Sequence, residues 1–82
     1  MSSNEKIIAF ILLITNSVDT EQIYEGLKTM DQVQEVHMIY GDYDIIIKVE
    51  VANLAELSDF TMGVRKNYKV KSSSTLITLA QK

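Results

Sequence analysis

The chain has no cysteine and a single histidine, so disulfides and thiolate metal sites are excluded. No compact Asp/Glu/His cluster replaces them, and neither a metal nor a cofactor is implied. Proline is absent too, with no Gly/Ser-rich or low-complexity linker, so residues 1–82 read as a single domain. Positive charge is sparse: 8 Lys and Arg against 11 Asp and Glu leave a net charge of −3. That balance argues against a footprint for nucleic-acid phosphates. The modest group Arg65, Lys66, Lys69 and Lys71 is explained by a helix C-terminus complementing its dipole, followed by a solvated loop. A long apolar run is also missing. Ile7–Ile14 falls well short of the roughly 20 residues that span a bilayer. Glu5 precedes it and no small-residue cleavage site follows, unlike a signal peptide. A cytoplasmic protein with no membrane partner is expected.

A domain this small buries only roughly 60–65% of its unfolded surface, so its own core is thin. With disulfides and metals removed as supplements, self-association is the natural one.

What is present is a regular alternation of β-favouring and helical patterns. A first strand is expected over Lys6–Thr15. Asp19 with Gln22 three residues on resembles a capping box, and Ile23, Leu27 and Met30 share one helical face behind it. A second strand, Gln34–Tyr40, alternates Val36, Met38 and Tyr40. Gly41-Asp42 supplies the chemistry of a two-residue hairpin whose first central residue needs positive φ. The third strand is Asp44–Val51. Asn53 with Glu56 forms another cap, and Leu54, Leu57, Thr61, Val64 and Tyr68 make the second helical stripe. Ser72–Ala80 closes as the fourth strand.

The order β-α-β-β-α-β predicts an α+β, ferredoxin-like sandwich. Its four-stranded antiparallel sheet has strands 1 and 3 in the middle, flanked by 4 and 2. Strand 1 is apolar on both faces, with Ile7, Ala9, Ile11 and Leu13 on one and Ile8, Phe10, Leu12 and Ile14 on the other. Strand 3 puts Ile45, Ile47, Val49 and Val51 on one face and Ile46 opposite. Two helices cover one face of such a sheet. The other face would expose a contiguous apolar patch, which soluble monomers avoid. Dimerisation through that face, by two-fold symmetry, is the expected cover.

In this setting Tyr40-Gly41-Asp42-Tyr43-Asp44-Ile45 resembles the Gly-x-x-Asp hairpin of the Lrp/AsnC regulators' effector-binding domain, also called the RAM domain. Val70-Lys71-Ser72-Ser73-Ser74-Thr75-Leu76-Ile77 is similar to that family's last strand. The likeness covers about Ile7 to Leu79. Two positions depart from it: Lys69 stands where the family often has Gly, and Ser17-Val18-Asp19 where it often has Pro-Gly. The first affects a turn and the second a cap. Full regulators of the family carry an N-terminal helix-turn-helix. Too few residues precede the first strand here to hold one, so a stand-alone module that does not bind DNA itself is expected.

The resemblance implies a free amino acid or similar small molecule bound near Gly41, Asp42, Tyr43 and Asp44, between neighbouring dimers. Ser73 and Thr75, two apart and so on one strand face, would add hydroxyls from the adjoining subunit. It also implies an assembly larger than the homodimer, such as an octamer or decamer, and indirect action through full-length Lrp/AsnC regulators. Taken without the resemblance, the same residues have structural explanations. The hairpin alone accounts for Gly41-Asp42. Asp44 can end a strand, and Ser72–Ser74 can protect an exposed sheet edge. Met30, Met38 and Met62 read as adaptable packing, and His37 as a surface or interface residue.

Other function classes fit less well. Dimeric ferredoxin-like barrels include small oxygenases and isomerases, but here the interior positions are aliphatic and no nucleophile–base pair has a readable spacing. RNA-recognition motifs stack bases on aromatic residues of the central strands. Strand 3, Asp44–Val51, has no aromatic. Heavy-metal-binding domains of this fold need a cysteine pair.

Overall fold

Exposure alternates residue by residue along the two longest apolar stretches, and this period of two makes both of them strands with distinct faces. A computed structural model describes residues 6–78. Its elements are β1 (Ile7–Thr15), α1 (Thr20–Leu27), β2 (Val33–Met38), β3 (Ile45–Val51), α2 (Leu54–Asn67) and β4 (Val70–Ile77). The strands form one antiparallel sheet in the order β2-β3-β1-β4, the ferredoxin-like arrangement expected. None of the described helices is long and apolar enough to cross a membrane.

On one face, Ala9, Ile11, Leu13 and Thr15 of β1 lie beside Ile45, Ile47, Val49 and Val51 of β3, all buried. Ile23 and Leu27 from α1 and Leu57, Phe60 and Val64 from α2 complete this core. One member of the expected α2 stripe is displaced. Leu54 is 59% exposed, while Phe60, absent from that stripe, is buried. The two residues lie about 120° apart around a helix of 3.6 residues per turn. A face turned to bury the larger aromatic surface therefore leaves Leu54 in solvent.

The helix starts differ. At α2 the Asn53 side chain accepts the Glu56 N–H at 2.8 Å, and Glu56 in turn accepts the Ala52 N–H at 2.7 Å. The box expected at Asp19 and Gln22 does not form. Asp19 already has helical dihedrals (φ −104°, ψ −11°) and its carboxylate makes no capping bond. A capping side chain needs extended backbone to reach over the first turn.

α1 and the end of α2 meet at a glycine. A Cβ on Gly26 would overlap the Tyr68 hydroxyl and come within 2.8 Å of its Cζ. Helix propensity alone favours alanine over glycine by about 1 kcal/mol, yet the crowding costs about 1–3 kcal/mol. Gly26→Ala is therefore expected to lower the urea midpoint in the native background. With Tyr68 replaced by alanine, it should raise it. A double-mutant cycle checks the change of sign.

The opposite face of the sheet carries no helix. Ile8, Phe10, Leu12 and Ile14 run along β1, half-buried by their neighbours. Register places Ile46 beside Leu12 on β3 and Leu76 beside Phe10 on β4. A charged border follows on β2 and β3. Glu35 lies 3.2 Å from His37 Nε2 and 3.9 Å from Lys48 Nζ, while Gln34 donates to Glu50 at 2.8 Å.

Candidate functional site

The β2–β3 connection is longer than the sequence suggests. The last bond across it runs from the Ile39 N–H to the Asp44 carbonyl at 2.9 Å, leaving residues 40–43 as a four-residue loop rather than a two-residue turn. Gly41 has φ +126°, the left-handed backbone expected of it, and no other described residue has positive φ.

Asp44 explains the extra length. Its N–H donates to the Leu13 carbonyl at 2.8 Å, and its carboxylate Oδ2 accepts the Thr15 N–H at 2.8 Å. Both bonds tie the residue just before β3 to the end of β1, so the loop closes before Asp44. The chain of contacts continues. Thr20 Oγ1 donates to the Asn16 carbonyl at 3.0 Å, so the Thr15 hydroxyl, 2.6 Å from Thr20 Oγ1, acts as donor between the two threonines. A continuous hydrogen-bonded path thus joins the hairpin base to the start of α1. Sequence reasoning missed Thr15, although one hydroxyl closing an otherwise apolar strand was a usable signal.

The loop itself is open. Gly41 and Asp42 are exposed, Tyr40 is fully exposed and Tyr43 is half-buried. Among the described residues, no hydrogen bond engages the N–H groups of residues 40–43, and no bond or ion pair engages the Asp42 carboxylate. The loop therefore offers free amide donors and a free carboxylate side by side. A ligand bearing both a carboxylate and an ammonium could satisfy both.

The β4 hydroxyls sit elsewhere. Register pairs Ser73 with Leu13 and Thr75 with Ile11, which puts both on the helix-covered face. They share a face, as their spacing predicts, but Ser73 already accepts a hydrogen bond from Arg65 Nη1 at 2.9 Å. Leu13 lies between Ile45 and Ser73, so the hairpin base and Ser73 are two strand spacings apart, about 10 Å. Within one protomer, Ser73 is thus two strands away from the hairpin base, and Thr75, opposite Ile11, lies further along the sheet.

The loop depends on Gly41. A Cβ there would meet nothing within 4 Å, so only the backbone conformation opposes a side chain. Gly41→Ala should cost about 1 kcal/mol or reshape the loop. Amide chemical shifts confined to residues 39–44 would identify the second outcome.

Comparison with known proteins gives this geometry a context. Residues 8–82 match the family model described as the Lrp/AsnC ligand binding domain. A homocitrate synthase of Sulfolobus acidocaldarius is 36% identical over 76 residues, 92% of this chain and 16% of the enzyme. The HTH-type transcriptional regulator FL11 of Pyrococcus furiosus is 30% identical over 73 residues, 89% of this chain and 48% of the regulator. This chain thus spans about half the length of one relative and about a sixth of the other. A crystal structure of a hypothetical protein from Pyrococcus horikoshii superposes with a TM-score of 0.83 at 36% identity, over 92% of each chain.

Proposed function

Because this chain belongs to the Lrp/AsnC ligand binding domain family, we propose that it is an effector-binding module whose ligand is a free amino acid held at the Gly41–Asp44 hairpin. The family supplies the ligand-binding role. A related stretch occurs both in a regulator and in a synthase. Its recurrence in proteins of such different kinds is what a transferable ligand-sensing module would show, and it favours that role over an enzymatic one for this chain.

The observation that carries the amino-acid reading is the pairing of unengaged loop amides with the unengaged Asp42 carboxylate. Gly41 lets a ligand carboxylate approach the backbone, the N–H groups of residues 41–43 receive it, and Asp42 pairs with the ammonium. Tyr43 presents a flat apolar wall with one hydroxyl. Asp44, with Oδ2 committed to the Thr15 N–H, anchors the loop, in line with the structural explanation the sequence also offered for it. Thr75 and Ser73 would come from a neighbouring copy, Ser73 through the outer side of its bond to Arg65.

Copies pair through the helix-free face, and pairs assemble further into an octamer or decamer with ligand between them. Binding and assembly are then linked, because a ligand that prefers the assembled form must favour it. At a hundred times its Kd, ligand favours assembly by about 2.7 kcal/mol per site. Output would pass through co-assembly with full-length Lrp/AsnC regulators.

Native mass spectrometry with each proteinogenic L-amino acid tests this. At least one should add mass in proportion to the subunit count and shift the stoichiometry upwards, and Asp42→Ala should abolish both changes. If no amino acid binds or alters the assembly, the proposal fails.

A further inference from the structure

A cleft separate from the hairpin lies where the start of α1 meets the end of α2, lined by Asp19, Gln22, Ile23, Asn67, Tyr68 and Lys69. We propose that it is a second small-molecule site, for a zwitterion the size of an amino acid.

The lining combines the right chemistry. Ile23, 2% exposed, belongs to the core and gives the cleft an apolar floor. Tyr68, packed over Gly26, forms a wall that a larger residue at position 26 would displace. Around them stand one anion (Asp19), one cation (Lys69), two amides (Gln22, Asn67) and the phenol. Among the described residues, no side-chain hydrogen bond or ion pair engages any of these five polar groups. The helical dihedrals of Asp19, which stop it from capping α1, leave its carboxylate unengaged beside the cleft.

The mixture of charges selects the ligand class. A simple anion such as phosphate would meet Lys69 but also the Asp19 carboxylate, and a simple cation the reverse. A molecule carrying an ammonium and a carboxylate on one carbon can satisfy both, with the amides and the phenol taking the remaining hydrogen bonds. A volume of about 210 Å³ accommodates a residue the size of methionine or glutamine. The cleft is on the helix side, so pairing through the helix-free face leaves it open.

The test is an amide-resolved NMR titration of the full chain with L-methionine and with L-glutamine. N-acetyl-L-methionine and L-methioninamide, each lacking one of the charges, serve as controls. Saturable shifts at Gln22, Ile23, Tyr68 and Lys69 are expected with at least one amino acid and not with the controls. Lys69→Ala and Asp19→Asn should each weaken that response by about threefold to fivefold, the loss of one solvent-exposed ion pair. Asp42→Ala should leave it unchanged, while any response at residues 41–43 disappears. The spectra themselves report whether each variant is folded. Absence of saturable shifts in the cleft overturns the proposal. So do equal shifts with the controls, persistence in both cleft variants, or loss in Asp42→Ala. A hairpin response without a cleft response would leave the proposed function standing and remove this site alone.

Discussion

Leu12→Glu is expected to leave a folded protomer that no longer pairs. Leu12 is on the helix-free face, between Ile46 of β3 and Ser74 of β4, away from the core under the helices. Its replacement therefore leaves the interior of the protomer intact. In a two-fold interface every change enters twice. Each copy forfeits about 2 kcal/mol of leucine burial and gains a carboxylate whose desolvation nothing repays. The sum exceeds about 4 kcal/mol, so the dimer Kd should rise by at least about a thousandfold. Sedimentation velocity across a wide concentration range reads this directly. The native chain should sediment as a dimer or larger and the variant as a monomer with native circular dichroism. A native chain that stays monomeric at high concentration would remove the basis for assembly. A dimeric variant would move the interface elsewhere.

The second large effect is at Asp44. Alanine there removes the acceptor of the Thr15 N–H, a charge-assisted bond in a partly buried position. Such bonds contribute about 1.5–3 kcal/mol, and the orphaned donor accounts for part of the loss. Asp44→Ala should therefore lower unfolding stability by about 2 kcal/mol in urea titration. Asparagine, which keeps an acceptor oxygen without the charge, should recover roughly half. The two acids of the hairpin then part company. Asp42→Ala should abolish ligand-linked assembly with almost no change in stability, because among the described residues no hydrogen bond or ion pair engages its carboxylate. Asp44→Ala should change stability first and ligand response through the loosened loop. If Asp44→Ala left stability untouched, the anchoring role assigned to it would be wrong.

The strongest features of the fold were open to reading in one dimension. An apolar residue at every position of Ile7–Ile14 marks a strand that is apolar on both faces, and this is a property of adjacent residues. Caps behave less uniformly. Asn53 and Glu56 form the expected bonds because Asn53 is extended, whereas Asp19 does not because its backbone has already turned into the helix. The same tetrad spacing thus has two outcomes, separated by one pair of dihedral angles. In α2 the stripe through Leu54 fits helical periodicity about as well as the stripe through Phe60. The winner depends on the area of sheet offered to each side chain.

The local pattern of the sequence determined the element order, the pairing of central with edge strands, the glycine conformation at position 41 and the family likeness. Each of these rests on neighbouring residues and their preferred dihedrals. Only the tertiary structure decided that Asp44 binds the Thr15 amide, 29 residues away, and that Ser73 faces Arg65 rather than open solvent. Those partners are chosen by strand register and sheet twist, which bring distant side chains within hydrogen-bonding reach and leave no trace in the spacing of residues along the chain.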